Sequence, residues 1–332
     1  MTQRIQQDAS ALTARGLELK AVNGGYTSAE VTVTQDDFSA SGDTATLSVT
    51  ESGRLLYPNV QPGEPDAEEY ILPHTLTYVW SGSAWLLSKD EAKYEPNGPT
   101  PTTQLTQPAP IPFEEPPFKP APGEQGPDPD VPVDEGPKES PASTDPLPAG
   151  SSPTKSIAAG TTPGNATSGS DAPAALSYSA MVDYADRYWR SPNRSYRTYS
   201  NDCTNFISQA MRAGGWGQKD GWGFTTRKNN KYWYYGTYSW TTSYSWAGAE
   251  NWYWFAKKHS NRTRILDDVW QLGYGDVLQA DWNRDDTIDH SMIVTGLGRD
   301  IYLTYHTGNT HNRKLSSILS GHRGTWWYAH RT

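Results

Sequence analysis

The side chains able to do bond chemistry gather around Cys203, the single cysteine of the chain. It lies in Asn201-Asp202-Cys203-Thr204-Asn205-Phe206-Ile207-Ser208-Gln209-Ala210. A lone cysteine forms no internal disulfide, so the thiol is either a buried filler or a reagent. Its reactive form is the thiolate, favoured at helix N-termini and beside a protonated imidazole. Two histidines follow in strand-like runs. His290 opens His290-Ser291-Met292-Ile293-Val294-Thr295, and His306 closes Ile301-Tyr302-Leu303-Thr304-Tyr305-His306. A thiol, an imidazole base and a polar group that orients the base together make the layout of covalent acyl transfer.

Three elements must position these groups. Cys203, Phe206, Ile207, Ala210 and Met211 follow the spacing of one helix face, and Gly214-Gly215 supplies a stop. Asp202, Asn201 or Ser200 serves as N-cap, which sets Cys203 in the first turn, where free amides and the helix dipole favour a thiolate. The two histidine runs form a hairpin through Gly298-Arg299. Centred on Gly298, it pairs positions whose numbers sum to 596, so His290 faces His306. Asp289 points to the opposite face of its strand. His306 is therefore the expected orienting group, with Asn309 as substitute if the chain turns back after Thr307-Gly308.

Metal readings compete. Cys203, His290 and His306 could supply three zinc ligands. Asp281, Asn283, Asp285 and Asp289 occupy positions 1, 3, 5 and 9 of an EF-hand register, yet position 6 is Asp286 rather than Gly and position 12 is Met292 rather than Glu. A polar hairpin loop is the expectation there, and no metal or cofactor is expected. Residues 216 to 256 are crowded with Trp and Tyr. Part of that set must be core, while Trp222, Trp240 and Trp246 are candidates to line a groove for sugar or peptide.

Asp202-Cys203-Thr204-Asn205-Phe206, Gly275-Asp276-Val277, Asp289-His290-Ser291 and Tyr305-His306-Thr307 occur in the order that marks the bacterial Putative amidase domain family. The resemblance covers about residues 176 to 332 and extends distantly to the NlpC/P60 and CHAP peptidoglycan hydrolases. It implies a papain-like cysteine hydrolase of α+β class, with Cys203 as nucleophile, His290 as base and later acid, His306 orienting it, and the Cys203 amide in the oxyanion hole. It further implies cleavage of amide or peptide bonds in cell-wall peptidoglycan, and a secreted or wall-associated monomer. A wall-binding module with an inert thiol, and an acyltransferase using the same site, are the other readings.

Composition divides the chain into residues 1–95, 96–173 and 174–332, with net charges of −8, −7 and +6 from 6, 3 and 19 basic against 14, 10 and 13 acidic side chains. The positive third suits the carboxylates and phosphates of a bacterial wall, but its field is too weak to suggest nucleic acid. Residues 1–95 read as a short helix followed by strands near 29–34, 45–50, 70–80 and 84–87, a small antiparallel α+β module. Residues 96–173 hold 20 of the 25 prolines and few large apolar groups, the composition of a solvated linker separating two domains. No run approaches the roughly 18 apolar residues of a membrane span. No signal peptide is visible at the start, so the compartment, including the cytoplasm, stays open.

Overall fold

The computed structural model describes residues 1–21, 25–95, 97–104, 176–221 and 226–332. Helix α1 (Gln3–Ala21) leads into β1 (Ser28–Ser41), β2 (Thr44–Leu56), β3 (Ala67–Trp80) and β4 (Trp85–Ala92). The later part runs through α2 (Tyr178–Tyr188), α3 (Cys203–Ala213), α4 (Tyr244–Ala247), α5 (Ala249–Trp254), β5 (Arg264–Ile265), β6 (Val277–Asp281), β7 (His290–Leu297), β8 (Ile301–Tyr305), β9 (Thr310–Lys314), α6 (Leu315–Gly321) and β10 (Trp326–Arg331). The class is α+β, built on antiparallel pairings.

The strands join in one sheet of order β1-β2-β3-β9-β8-β7-β6-β10-β5, with β4 on β3. Strands from residues 1–95 and from residues 174–332 thus share one sheet. Strand β3 pairs with β9 through Glu69 opposite His311 and Tyr70 opposite Thr310. His311 lies 3.0 Å from Glu69 and 2.9 Å from Asp186, stacked on Trp189. Nearby, Glu68 and Arg313 are both buried, 3.9 Å apart. Residues 97–104, the start of the expected linker, pack on the later domain: Trp282 Nε1 donates to the Asn97 carbonyl, and Arg313 donates to the Thr100 carbonyl. The rest of that linker and Trp222 lie outside the described residues.

Helices α2 and α3 cover one face of the later strands. Met181, Phe206, Ile207, Trp233, Trp246, Val277 and Ile293 make that core. Leu278, Met292, Val294, Leu303, Tyr305, Leu315, Ile318 and Trp327 fill the other face. Strand alternation decides which side each site residue takes.

The β7–β8 hairpin is the second correction. Leu297 faces Ile301, and after a bulge between Val294 and Gly296 the pairing becomes Ile293 opposite Thr304, a sum of 597. The turn lies one residue beyond Gly298, and the bulge takes one position back. A net slip of one residue turns a side chain to the opposite face. His290 and His306 are thereby on opposite sides of the sheet.

Candidate active site

Cys203 is the first residue of α3, and its Sγ donates to Asn201 Oδ1 at 3.2 Å. Thr204 Oγ1 lies 3.6 Å from the sulfur and 3.0 Å from Ser291 Oγ, which ties the helix start to β7. Asn201 is doubly engaged: its Oδ1 also accepts from Thr307 Oγ1 at 3.1 Å, and its Nδ2 donates to the Asp289 carbonyl at 3.3 Å. Thr307 Oγ1 in turn accepts from the Asp202 amide at 3.0 Å. In the sequence Asn201 reads only as a cap and Thr307 only as a turn and motif residue, neither with a role at the thiol. Their adjacency arises from the turn after β8, which no local pattern announces.

Asp202 is the N-cap residue, but its carboxylate makes no bond to the first-turn amides of α3. Its Oδ1 accepts from the Tyr199 amide at 2.9 Å and from Asn205 Nδ2 at 2.8 Å. Its Oδ2 lies 2.7 Å from His306 Nδ1, while His306 Nε2 lies 2.9 Å from the Tyr188 carbonyl. Phe206 stacks on that imidazole with centroids 4.0 Å apart. Both ring nitrogens face oxygen acceptors, an arrangement fully satisfied by an imidazolium against a carboxylate.

The electrostatics oppose the thiolate expected from the helix start. Cys203 is 1% exposed, and burial pushes its pKa up to about 11, against smaller downward pulls from Thr204 and Ser291. The dipole of one helix end does not offset removal of a charged sulfur from water.

His290 faces the second core instead of the thiol. Its ring meets Tyr305 edge-on at 5.3 Å and Trp282 at 5.9 Å, and neither nitrogen has a hydrogen-bond partner of ordinary geometry. Burial first, and the neighbouring His322 second, push its pKa down to about 3, with the Asn97 backbone pulling weakly the other way. The expected contact with His306 is not formed. Asn309, the substitute, sits in the turn between β8 and β9, where its carbonyl accepts from the Ile71 amide of β3 at 3.1 Å.

The aromatic candidates separate as sharply. Trp246 is fully buried, its Nε1 donating to Asn205 Oδ1 at 2.8 Å, so it belongs to the core and lines no groove. Trp240 is 48% exposed and stacks nearly parallel on Tyr238, itself 45% exposed, at 5.3 Å. In the acidic loop, Asp281 Oδ1 accepts from the Arg284 and Asp285 amides, and its Oδ2 from that of Asp286. The carboxylate closes its own turn, as a loop former does. Asp289 Oδ2 takes the Trp282 amide, and Asn283 pairs with Asp285. Among the described residues no three His, Cys, Asp or Glu side chains are placed to hold a metal ion. The zinc set fails for the reason already given, since its histidines are on opposite faces. No described helix is long and apolar enough to cross a membrane.

Similar proteins bear on the later part of the chain. YhbB of Bacillus subtilis (strain 168) is 32% identical over 122 residues, 36% of this chain and 38% of that protein. YjcM of the same organism is 29% identical over 164 residues, 46% of this chain and 36% of that protein. The chain thus matches well under half the length of either relative. The crystal structure of the Kfla4162 protein from Kribbella flavida is similar at 22% identity over 25% of this chain and 57% of that one, with a TM-score of 0.20, too low to bear on the fold. Residues 175–329 match the family model described as Putative amidase domain, a family named for amide hydrolysis.

Proposed function

We propose that residues 174–332 form a cysteine-dependent amide hydrolase that cuts amide or peptide bonds of bacterial cell-wall peptidoglycan, acting outside the membrane. One observation carries the reading: the chain's only thiol opens α3 inside the matched segment, hydrogen-bonded to Asn201 and next in sequence to the Asp202–His306 pair. A cysteine-bearing helix packed on an antiparallel sheet agrees with a papain-like arrangement of the NlpC/P60 kind.

In this reading Cys203 Sγ attacks the amide carbonyl carbon, the C–N bond breaks as the amine takes up a proton, and a thioester remains. Water then hydrolyses the thioester to a carboxylic acid and restores the thiol. The base is His306 rather than His290, because His306 shares the α3 side of the sheet with the thiol. Asp202 orients it, as a carboxylate holds the imidazole of a triad. To accept the thiol proton, His306 must be singly protonated and its Nε2 must leave the Tyr188 carbonyl. The exposed Tyr238–Trp240 pair offers flat apolar surface to a sugar or peptide.

Digestion of purified peptidoglycan, with mass spectrometry of the products, tests the reading. New termini at one amide type with wild type, absent with Cys203→Ser, are expected. Identical products from both proteins, or none from either, reject it.

A further inference from the structure

The Asn201 amide has two unlike ends, and its neighbours fix which one meets the sulfur. The Asp289 carbonyl carries no hydrogen, so the end 3.3 Å away must be the NH2 group. Thr307 Oγ1 accepts from the Asp202 amide, which leaves its own hydrogen for Asn201 Oδ1. The amide oxygen is thus turned on Cys203 Sγ, and an oxygen that only accepts requires a hydrogen on the sulfur. A thiolate there would be repelled.

Thr307 holds this arrangement at a cost. Its φ of 63° is left-handed, an outlier for a β-branched residue and one that persists only where the surroundings over-determine it. They do so here. A side chain at Gly98 would collide with the Thr307 carbonyl, so the turn at residues 97–98 packs directly on this one.

We propose that Asn201 is a positioning residue that keeps Cys203 a neutral, proton-donating thiol in the resting protein, its amide locked by Thr307 and the Asp289 carbonyl. The lock must open before the sulfur can attack. That consequence rests on Cys203 being the nucleophile, whereas the state of the thiol does not. The charged groups around the sulfur are accounted for. Asp202, beside it on α3, is paired with His306, and the Asp289 carboxylate of β7 is turned to the Trp282 amide. Thr204 and Ser291 contribute neutral hydroxyls, and His290 faces the other side.

The full chain has one cysteine, so iodoacetamide alkylation followed by mass spectrometry reads Cys203 alone. The pH midpoint of its alkylation rate should fall by about one unit in Asn201→Ala and in Thr307→Ala, which removes an accepting oxygen or frees the amide to turn its NH2 group to the sulfur. Thr307→Ser should restore the wild-type midpoint. Asn201→Asp should raise it, a direction that unfolding cannot imitate, because an unfolded chain returns the thiol to its ordinary value. Unchanged midpoints in Asn201→Ala, or a lowered one in Asn201→Asp, overturn the proposal. These measurements need no substrate, so failure to digest peptidoglycan leaves them standing.

Discussion

His306 Nδ1 and Asp202 Oδ2 lie 2.7 Å apart, both side chains buried, on the residue immediately before the only cysteine. The pair fastens the turn after β8 to the start of α3. His290, on the other face, takes no part. Cys203→Ser and His306→Ala should each lower turnover of a cleaved wall peptide by roughly a thousandfold or more, without adding in the double variant. His290→Phe, which fills the same apolar surroundings, should keep most of the rate. Steady-state kinetics decide, and loss of activity in His290→Phe with a native melting temperature would return the base to His290.

Asp202 also matters for stability. Its removal strips acceptors from Tyr199 and Asn205 and leaves His306 opposite no charge. Breaking one side of a buried pair costs roughly 3–5 kcal/mol, so Asp202→Ala should unfold at much lower denaturant. Asp202→Asn keeps the shape and should lose less. Urea titration by circular dichroism measures both.

Stability should pass through a maximum with pH. His290 and His330 are held neutral to about 3 and His322 to about 4, by burial above all, against an ordinary 6.5. Their contribution is whole above about 6.5 and is lost as pH falls towards those values, because the unfolded chain takes up the protons first. His311 works in reverse. Its pKa is raised by Asp186 and Glu69 despite burial, so its contribution is whole below 6.5 and is lost as pH rises through the raised value. Melting temperatures from pH 3 to 9 should show the acid limb flattened in His330→Leu and the neutral limb flattened in His311→Asn.

The early strands should be needed by the later domain. Arg313 is fully buried and its only acidic neighbour among the described ion pairs is Glu68 of β3. A chain of residues 176–332 exposes the β9 edge and leaves that charge without its partner. Its melting temperature should lie well below that of the full chain, and Arg313→Met should recover part of the loss. Equal melting temperatures would show the two parts independent.

Calcium should change the melting temperature by little. The Asp281 oxygens already take three backbone amides, so a cation would have to replace them. Asp281→Ala should lower stability with or without the ion, and differential scanning fluorimetry in calcium and in chelator checks both.

The sequence by itself located α3, β7 and β8 and the thiol's place at the start of α3. The spacing of Cys203, Phe206, Ile207 and Ala210 reads as α3 because helix periodicity is local. Strand alternation likewise located β7 and β8. What only the tertiary structure decided is which face each strand shows. A turn one residue further on and one bulge moved His290 to the second core, and nothing in the strand composition records a slip of one. The same holds for the joining of the early and later strands in one sheet, made by a two-residue pairing of β3 and β9 across more than two hundred positions. It holds again for the charge on the sulfur, because a helix start favours a thiolate while burial, a property of the whole packed core, withholds it.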